Sequence, residues 1–414
     1  MASLPLLPSP PPSIPPPFLS AVRSSTLFSS LLTPCKRSSR RFAPRSFTLA
    51  ESVRKRFAAA MATSASAENA NLPRPNDVIH SSSSSYRLGL QLGDGGYGVV
   101  FMCKDKNDNM VAIKIEKYNR SMLPIEIEVM RNARKNACKH FVEPIDHGSK
   151  PPEYTFVVMT LLNKDLHKMR NEQVDRKFSR STAYRIAIQT MEAIQELHGI
   201  GYISRDVKPG NFAPGLRENS QHRIIFMFDF GLARKHVDKL GNVIPQRKEI
   251  GWRGTSRYGS LEAHRRKDLA RRDDVESWFY LVIEVTTGSL PWRLVPDRPK
   301  VYAAKMYARE AGRKQFFDNC PPAYDEFMAR IDALTYAQEP PYDYFLGELR
   351  ALCKAGNYRD RESFDWDDCE DSRSIAEAKR CKIKSFMCTS QSSFSEDDNK
   401  KEMSDPNCQT TQDR

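Results

Sequence analysis

Hydrophobic and polar positions change rhythm along this chain. Runs at 88–92, 99–103, 110–116 and 155–162 are alternating or continuously apolar, which predicts strands of a small sheet. Residues 123–133 repeat at helical spacing and place one amphipathic helix among those strands. After Ser179 the period is helical: Tyr184, Ala187, Ile188, Met191, Ile194 and Leu197 form one stripe, closed by Gly199 and Gly201. A short apolar strand at 224–228 follows, and then a helix at 274–287 that is apolar nearly all round and should be buried. Further helices fall near 300–310, 322–334 and 344–355. The expected fold class is α+β, with a small, mainly β lobe carrying one helix and then a larger, mainly α lobe.

The flanks differ from this core. The first 50 residues hold no Asp or Glu, ten of the 27 prolines, and five of their six basic residues between positions 36 and 45. Such a composition cannot bury a core. Its serines, arginines and lack of acid also fit an organelle transit peptide, so two expectations stand. One is a disordered extension on a cytoplasmic, and also nuclear, protein; the other is targeting to an organelle by residues 1–60. Met61 is a candidate start of a shorter product. The serines at 81–85 read as the last of the linker, and the chain turns polar beyond Trp366. The expected organisation is a leader at 1–85, a folded domain at 86–368 and a polar tail at 369–414.

The 414 residues are long enough for two packed lobes, and no run approaches the ~18 apolar residues of a membrane span. Nine scattered cysteines without C-x-x-C pairs read as free thiols of a reducing compartment and exclude a zinc ribbon. Net charge is +13, of which +7 lies in residues 1–70, −3 in 367–414 and +9 in the core. A surplus split in this way does not by itself make a nucleic-acid binder.

Chemistry enters at Gly93-Asp94-Gly95-Gly96-Tyr97-Gly98, a G-x-G-x-x-G turn whose glycines let backbone amides approach phosphates. A strand follows it where a dinucleotide-binding fold would have a helix, so the expectation is a hairpin lid over phosphates. In Val111-Ala112-Ile113-Lys114 an apolar strand carries a lysine that would be costly to turn inward unless it met an anion. Its partner should lie on the next helix. Glu126 shares a stripe with Met122, Val129, Met130 and Ala133, whereas Glu128 sits with Ser121, Arg131, Asn132 and Lys135, so Glu126 is expected to face inward. Ser204-Arg205-Asp206-Val207-Lys208-Pro209-Gly210-Asn211 then follows the long helix, and Asp229-Phe230-Gly231 follows an apolar strand.

This ordered set of Gly-rich loop, strand lysine, D-x-K-x-x-N and D-F-G resembles a eukaryotic protein kinase. The stretch Gly254-Thr255-Ser256-Arg257-Tyr258-Gly259-Ser260-Leu261-Glu262-Ala263-His264 is similar to the casein kinase 1 superfamily. Arg272-Asp273-Asp274, Gly288-Ser289-Leu290-Pro291-Trp292 and Phe364-Asp365-Trp366 extend that likeness. The V-V-M strand before the hinge, Asn211-Phe212-Ala213 and the F-D-W ending look most like tau-tubulin kinases. The resemblance implies ATP and Mg²⁺ as cofactors and a bilobal kinase fold. It implies Asp206, Lys208, Lys114 and Glu126 as catalytic residues, and Asn211 and Asp229 at the metal. Gly93, Gly95, Gly96, Gly98, Val100, Ala112, Lys114, Met159, Leu161 and Leu162 would surround ATP, and Asp274 would support the catalytic loop from below.

The same likeness implies a monomeric, constitutively active Ser/Thr kinase with acidic or phosphate-primed protein substrates, and neither a membrane nor nucleic acid as partner. Arg253, Thr255 and Arg257 are the substrate-contacting candidates. They lie within a basic cluster that also holds Arg247, Lys248, Arg265, Arg266, Lys267, Arg271 and Arg272, and guanidinium suits phosphate. Three departures stand out: Ser204 in the place of a histidine that packs on the D-F-G phenylalanine, Pro296 in the place of an anion-pocket lysine, and Glu262 in the place of Asn. Arg293, Arg298 or Lys300 could substitute for the lysine. If Ser204 leaves a gap, the alternative function is a pseudokinase scaffold that binds nucleotide and partners with little transfer.

Overall fold

The computed structural model describes residue 69 and residues 71–367, except 97 and 249. The targeting segment expected at 1–60, most of the leader expected at 1–85, Tyr97 of the glycine turn, and the tail expected at 369–414 lie outside the described residues. The fold has two lobes, a mainly β one followed by a mainly α one.

Six strands make the first lobe: β1 (Val78–His80), β2 (Ser85–Gly95), β3 (Gly98–Lys104), β4 (Met110–Lys117), β5 (Pro144–Lys150) and β6 (Tyr154–Thr160), with helix α1 (Leu123–Lys135) between β4 and β5. The sheet order is β1-β2-β3-β4-β6-β5. The central strands read as almost continuous apolar runs because both faces are covered. Phe101, Ile113, Ile115, Phe156 and Val158 pack with Leu72, Ile79 and Leu88 in one cluster. The alternate residues Met102, Ala112, Val157 and Met159 pack with Leu123, Ile127 and Met130 of α1 in the other. That alternation places Lys114 on the α1 face together with Ala112.

The serine run differs from its sequence reading. Residues 81–84 form the β1–β2 turn and Ser85 opens β2, instead of a linker, and the sheet begins at Val78. Ser81 Oγ (2.5 Å), Ser83 Oγ (2.9 Å) and the Tyr86 hydroxyl (2.8 Å) all donate to Asp146 on β5. Strands at opposite ends of the sheet order thus meet, which curls the sheet toward a barrel.

The second lobe holds α2 (Leu166–Glu172), α3 (Arg180–Gly199), α4 (Leu261–His264), α5 (Arg271–Thr287), α6 (Arg298–Tyr307), α7 (Arg313–Phe316), α8 (Ala323–Asp332) and α9 (Tyr342–Ala355). Short ribbons β7 (Tyr202–Ile203) with β10 (Arg234–Lys235), and β8 (Phe212–Pro214) with β9 (Ile225–Met227), frame the cleft. Helix α3 starts at an N-cap, with Ser179 Oγ accepting from Thr182 N, and Asp365 takes both Ser179 N and Ser179 Oγ at 2.6 Å. Phe364 stacks on Trp366 (4.4 Å between centroids) with Arg185 over its ring, so the F-D-W sequence fastens the end of the domain to α3. Helix α5 begins at Arg271, ahead of its expected start at 274, because Asp273 accepts the Ala270 amide at 2.7 Å and caps it. Its side chains are buried from Asp273 to Thr286, as its apolar composition required. No helix among the described residues is long and apolar enough to cross a membrane.

Candidate active site

Register brings the first group together. On β4, Lys114 lies opposite Val100 on β3 and Val157 on β6, and Ala112 lies opposite Met102 and Met159. Val100, Ala112 and Met159 therefore sit one or two strands apart, and Leu161 and Leu162 follow as β6 ends. The β2–β3 hairpin pairs Gly93 with Val100 and Gly95 with Gly98. Around Gly93 and Gly96 the space is open, whereas a Cβ on Gly98 would meet the Ile115 carbonyl oxygen at 2.1 Å. Gly98 is thus required by strand approach, and Gly93 and Gly96 leave room above the cleft.

Lys114 Nζ lies 2.7 Å from Glu126 Oε2 and 3.0 Å from Asp229 Oδ1. Glu128 turns away, pairing with Lys235 at 2.7 Å and accepting the Tyr202 hydroxyl at 2.9 Å. Burial alone would lower the Lys114 ammonium, but Asp229, Glu126 and Glu116 together raise it well above the ordinary lysine value. Lys114 holds the Asp229 carboxyl below the usual range, and this side chain is still 41% exposed. Burial pushes Glu126 up against the opposing pull of Lys114. The result is a buried lysine pinned between one carboxylate from α1 and another that faces the cleft.

Asp206 stands across from this trio on the catalytic-type loop after β7. Its Oδ2 is 2.5 Å from Lys208 Nζ and its Oδ1 accepts from Thr255 Oγ1 at 2.8 Å. Asn211 Nδ2 donates to the Asp206 carbonyl at 3.0 Å, which leaves the side-chain Oδ1 of Asn211 for a cation. Asp274 Oδ2 accepts Ser204 N (2.6 Å) and His198 Nε2 (3.0 Å), while its Oδ1 accepts Arg205 N (2.8 Å). Arg205 and Asp229 both hold φ +66°, a left-handed conformation that non-glycine residues keep only where surroundings enforce it. Gly254, at φ +86°, approaches so closely that a Cβ would stand 2.5 Å from the Arg205 carbonyl oxygen. The substrate-type segment is therefore seated directly on the loop that carries Asp206.

Ser204 is buried and no histidine occupies that place, yet Phe230 is fully buried and stacks on Phe141 at 5.2 Å. Glu262 pairs with Arg265 (2.6 Å), Lys267 (3.2 Å) and Arg272 (3.3 Å). Arg247 binds Asp268, and Arg271 binds Glu339. Much of the basic cluster read from the sequence is thus neutralised within the fold. Arg253 is exposed, and the half-buried Arg257 donates to the Arg293 carbonyl at 3.1 Å. Arg298 lies over the Trp252 ring at 5.1 Å.

Several residues escaped the sequence reading. His198 links Asp274 to the Tyr342 hydroxyl. Fully buried Lys305 donates to the carbonyls of Ser256 (3.1 Å) and Gly259 (2.5 Å) and to His264 Nε2 (3.3 Å), and burial lowers its ammonium to about 7. A signal existed, since Lys305 falls four residues after Val301 on the buried face of α6. A cavity of about 1300 Å³ is lined by Met110, Thr160, Leu216 and also by Leu161 and Leu162 of the expected hinge. It is not lined by Lys114, Asp206 or Asp229, and the chemistry lies with the ionic group.

Residues 86–331 match the family described as the protein kinase domain. A probable serine/threonine-protein kinase of Dictyostelium discoideum is 34% identical over 67% of this chain and 55% of its own length. The serine/threonine-protein kinase spe-6 of Caenorhabditis elegans is 32% identical over 73% of this chain and 81% of its own. A putative casein kinase I of the same nematode is 30% identical over 67% and 82%. The chain spans just over half of the first of these relatives and about four-fifths of the other two. With a cleft built around a strand lysine, a helix glutamate and the aspartate of D-F-G, the chain belongs to the protein kinase family, among its serine/threonine kinases.

Proposed function

We propose that this chain is an active casein kinase 1-like enzyme, most similar to the tau-tubulin kinases, that phosphorylates acidic or phosphate-primed proteins on serine and threonine. The observation that carries the proposal is Lys114 held between Glu126 and Asp229, the arrangement phosphoryl transfer requires. Lys114 binds the α- and β-phosphates of ATP beneath Gly93, Gly95 and Gly96, and Val100, Ala112, Met159, Leu161 and Leu162 enclose the adenine. Asp206 orients the substrate hydroxyl and takes its proton, while Lys208 beside it faces the γ-phosphate.

Asn211 and Asp229 fit Mg²⁺ by donor chemistry, because both offer hard oxygens and Asp229 keeps a cleft-facing side. No group of three His, Cys, Asp or Glu side chains forms a metal cage among the described residues. When bound, Mg²⁺ supplies charge neutralisation on the phosphates.

Arg253 and Arg257 flank Thr255 beside Asp206, and they support the preference for anionic substrates. The putative casein kinase I among the relatives and the Gly254-Thr255-Ser256-Arg257-Tyr258 stretch support the subgroup. The test compares steady-state kinetics on one peptide in unmodified, glutamate-substituted and phosphoserine forms. A KM that falls in that order supports the reading; equal KM values for all three contradict the substrate class.

A further inference from the structure

Asp268 lies between α4 and α5, carries no part of the phosphate chemistry, and is fully buried. Its carboxylate accepts from Arg234 Nη1 at 2.8 and 2.7 Å, from Arg247 Nε at 3.0 Å and Nη2 at 2.8 Å, and from the Arg247 backbone amide at 3.2 Å. Its own carbonyl accepts from Gln246 Nε2 at 3.3 Å. These partners come from two separate stretches. Arg234 lies on β10, just after D-F-G, and β10 pairs with β7 at the foot of the catalytic loop. Gln246 and Arg247 belong to the segment that leads to Trp252, Gly254 and Thr255.

Cationic side chains crowd the neighbouring catalytic loop. Arg205 donates Nε to the Leu232 carbonyl at 2.8 Å, and its guanidinium is pushed down to about 10 by burial and by Arg234, Arg247 and Arg253. Three guanidiniums from β10 and the activation segment thus press on Arg205 of the catalytic loop, where Asp274 attracts it, and two of the three, Arg234 and Arg247, are held by the buried Asp268 carboxylate. In kinases, such segments become ordered when a phosphate added to them pairs with arginines.

We propose that Asp268 is a positioning residue which does this permanently: its carboxylate stands where a regulatory phosphate would, and fixes residues 246–259 against the catalytic loop without any modification. Arginine pairs with both oxygens of a carboxylate as it does with phosphate, so the substitution is chemically apt. Asp268 itself is fully buried, which limits how far salt can screen its pairs with Arg234 and the half-exposed Arg247. The inference rests on the chain being an active kinase, but the tie itself can be measured apart from activity.

The experiment uses the full chain, with Asp268→Asn, Asp268→Glu, Arg247→Ala and the Asp268→Asn/Arg247→Ala double variant. Hydrogen exchange across 246–259 is measured alongside KM and kcat on a peptide. Expected results are faster exchange in that segment and at least a ten-fold rise in peptide KM for Asp268→Asn, partial return in Asp268→Glu, and no additional loss in the double variant. Phosphatase treatment of the wild-type chain should change nothing. Wild-type exchange and kinetics in Asp268→Asn, equal losses in the Asn and Glu variants, additive effects in the double variant, or activity abolished by phosphatase would each overturn the proposal. If Asp268→Asn does not fold, Arg247→Ala, altered on a half-exposed side chain, must by itself speed exchange in 246–259, and slow exchange there overturns it. A wild-type chain without transfer activity would count against the kinase reading, while the exchange data would still judge the tie.

Discussion

The two sides of the cleft are built from charge in different ways. On the nucleotide side, Lys114, Glu126 and Asp229 form one compact group whose members are fixed by strand register and helix face. On the substrate side, long cationic side chains from the activation segment and α5 reach acids elsewhere in the chain: Arg247 to Asp268, Arg272 to Glu262, Arg271 to Glu339. The first arrangement leaves a cation and a carboxylate addressed to the cleft. The second uses most of its charge to hold itself together: even Arg257 reaches the buried Glu284 at 3.7 Å, and Arg253 is left exposed beside Thr255. A basic run in sequence is therefore a poor measure of how much positive charge a substrate meets, because a fold can neutralise it internally.

Breaking the nucleotide side should give the largest contrast. Glu126→Gln removes the buried counter-charge of Lys114 and is expected to lower kcat/KM by about 10²-fold, whereas Glu128→Gln, two positions along the same helix, should stay within about two-fold. Steady-state kinetics with purified variants decide this, and equal losses would remove the distinction between the two helix faces.

On the substrate side, Lys305→Met leaves the buried carbonyls of Ser256 and Gly259 without their donor. A loss of about 1–3 kcal/mol is expected, read as a lower Tm and a higher peptide KM with the ATP KM little changed. Ser204→His sharpens the comparison from the middle of the cleft. Ser204 is already enclosed, so a larger ring should cost about 1–3 kcal/mol of stability and give no gain in turnover. A large gain would instead favour the scaffold reading.

The smallest effect is one of pH. Burial would raise the Asp268 carboxyl, but Arg247 and Arg234 outweigh it and hold it below its ordinary 3.8. The folded state then binds fewer protons than the unfolded chain in that acid window, so the stabilisation is complete above the ordinary value and is lost as pH falls through the lower folded one. Asp268→Asn should therefore lower Tm at pH 7, and the gap to wild type should close in acid. A gap independent of pH would show that shape, not charge, holds the segment.

How far the molecule could be read in advance follows the same division. The strand lysine, the choice of Glu126 over Glu128 by helix face, and the all-buried α5 were legible, because periods of two and 3.6 are local. β5, with the sequence Pro144-Ile-Asp-His-Gly-Ser-Lys150, has no apolar alternation and is an edge strand, so periodicity could not show it. The serines at 81–85 looked like linker until Asp146, on a distant strand, gave them a partner. Asp268 was opaque for the same reason: an ion pair across the fold leaves no mark in the spacing of either residue, whereas Glu262 is bound by near neighbours in the chain, Arg265, Lys267 and Arg272. His198 was within the α3 stripe's reach, yet only the position of Asp274 shows why a polar ring is buried there.

The most direct test of the central claim is transfer of labelled γ-phosphate from ATP to a primed serine peptide by the purified full chain, with Lys114→Met and Asp206→Asn in parallel. The account predicts Mg²⁺-dependent transfer by the wild type and a loss of about 10²- to 10⁴-fold in each variant, with folding retained. Equal transfer by all three proteins, or none by the wild type, would contradict it.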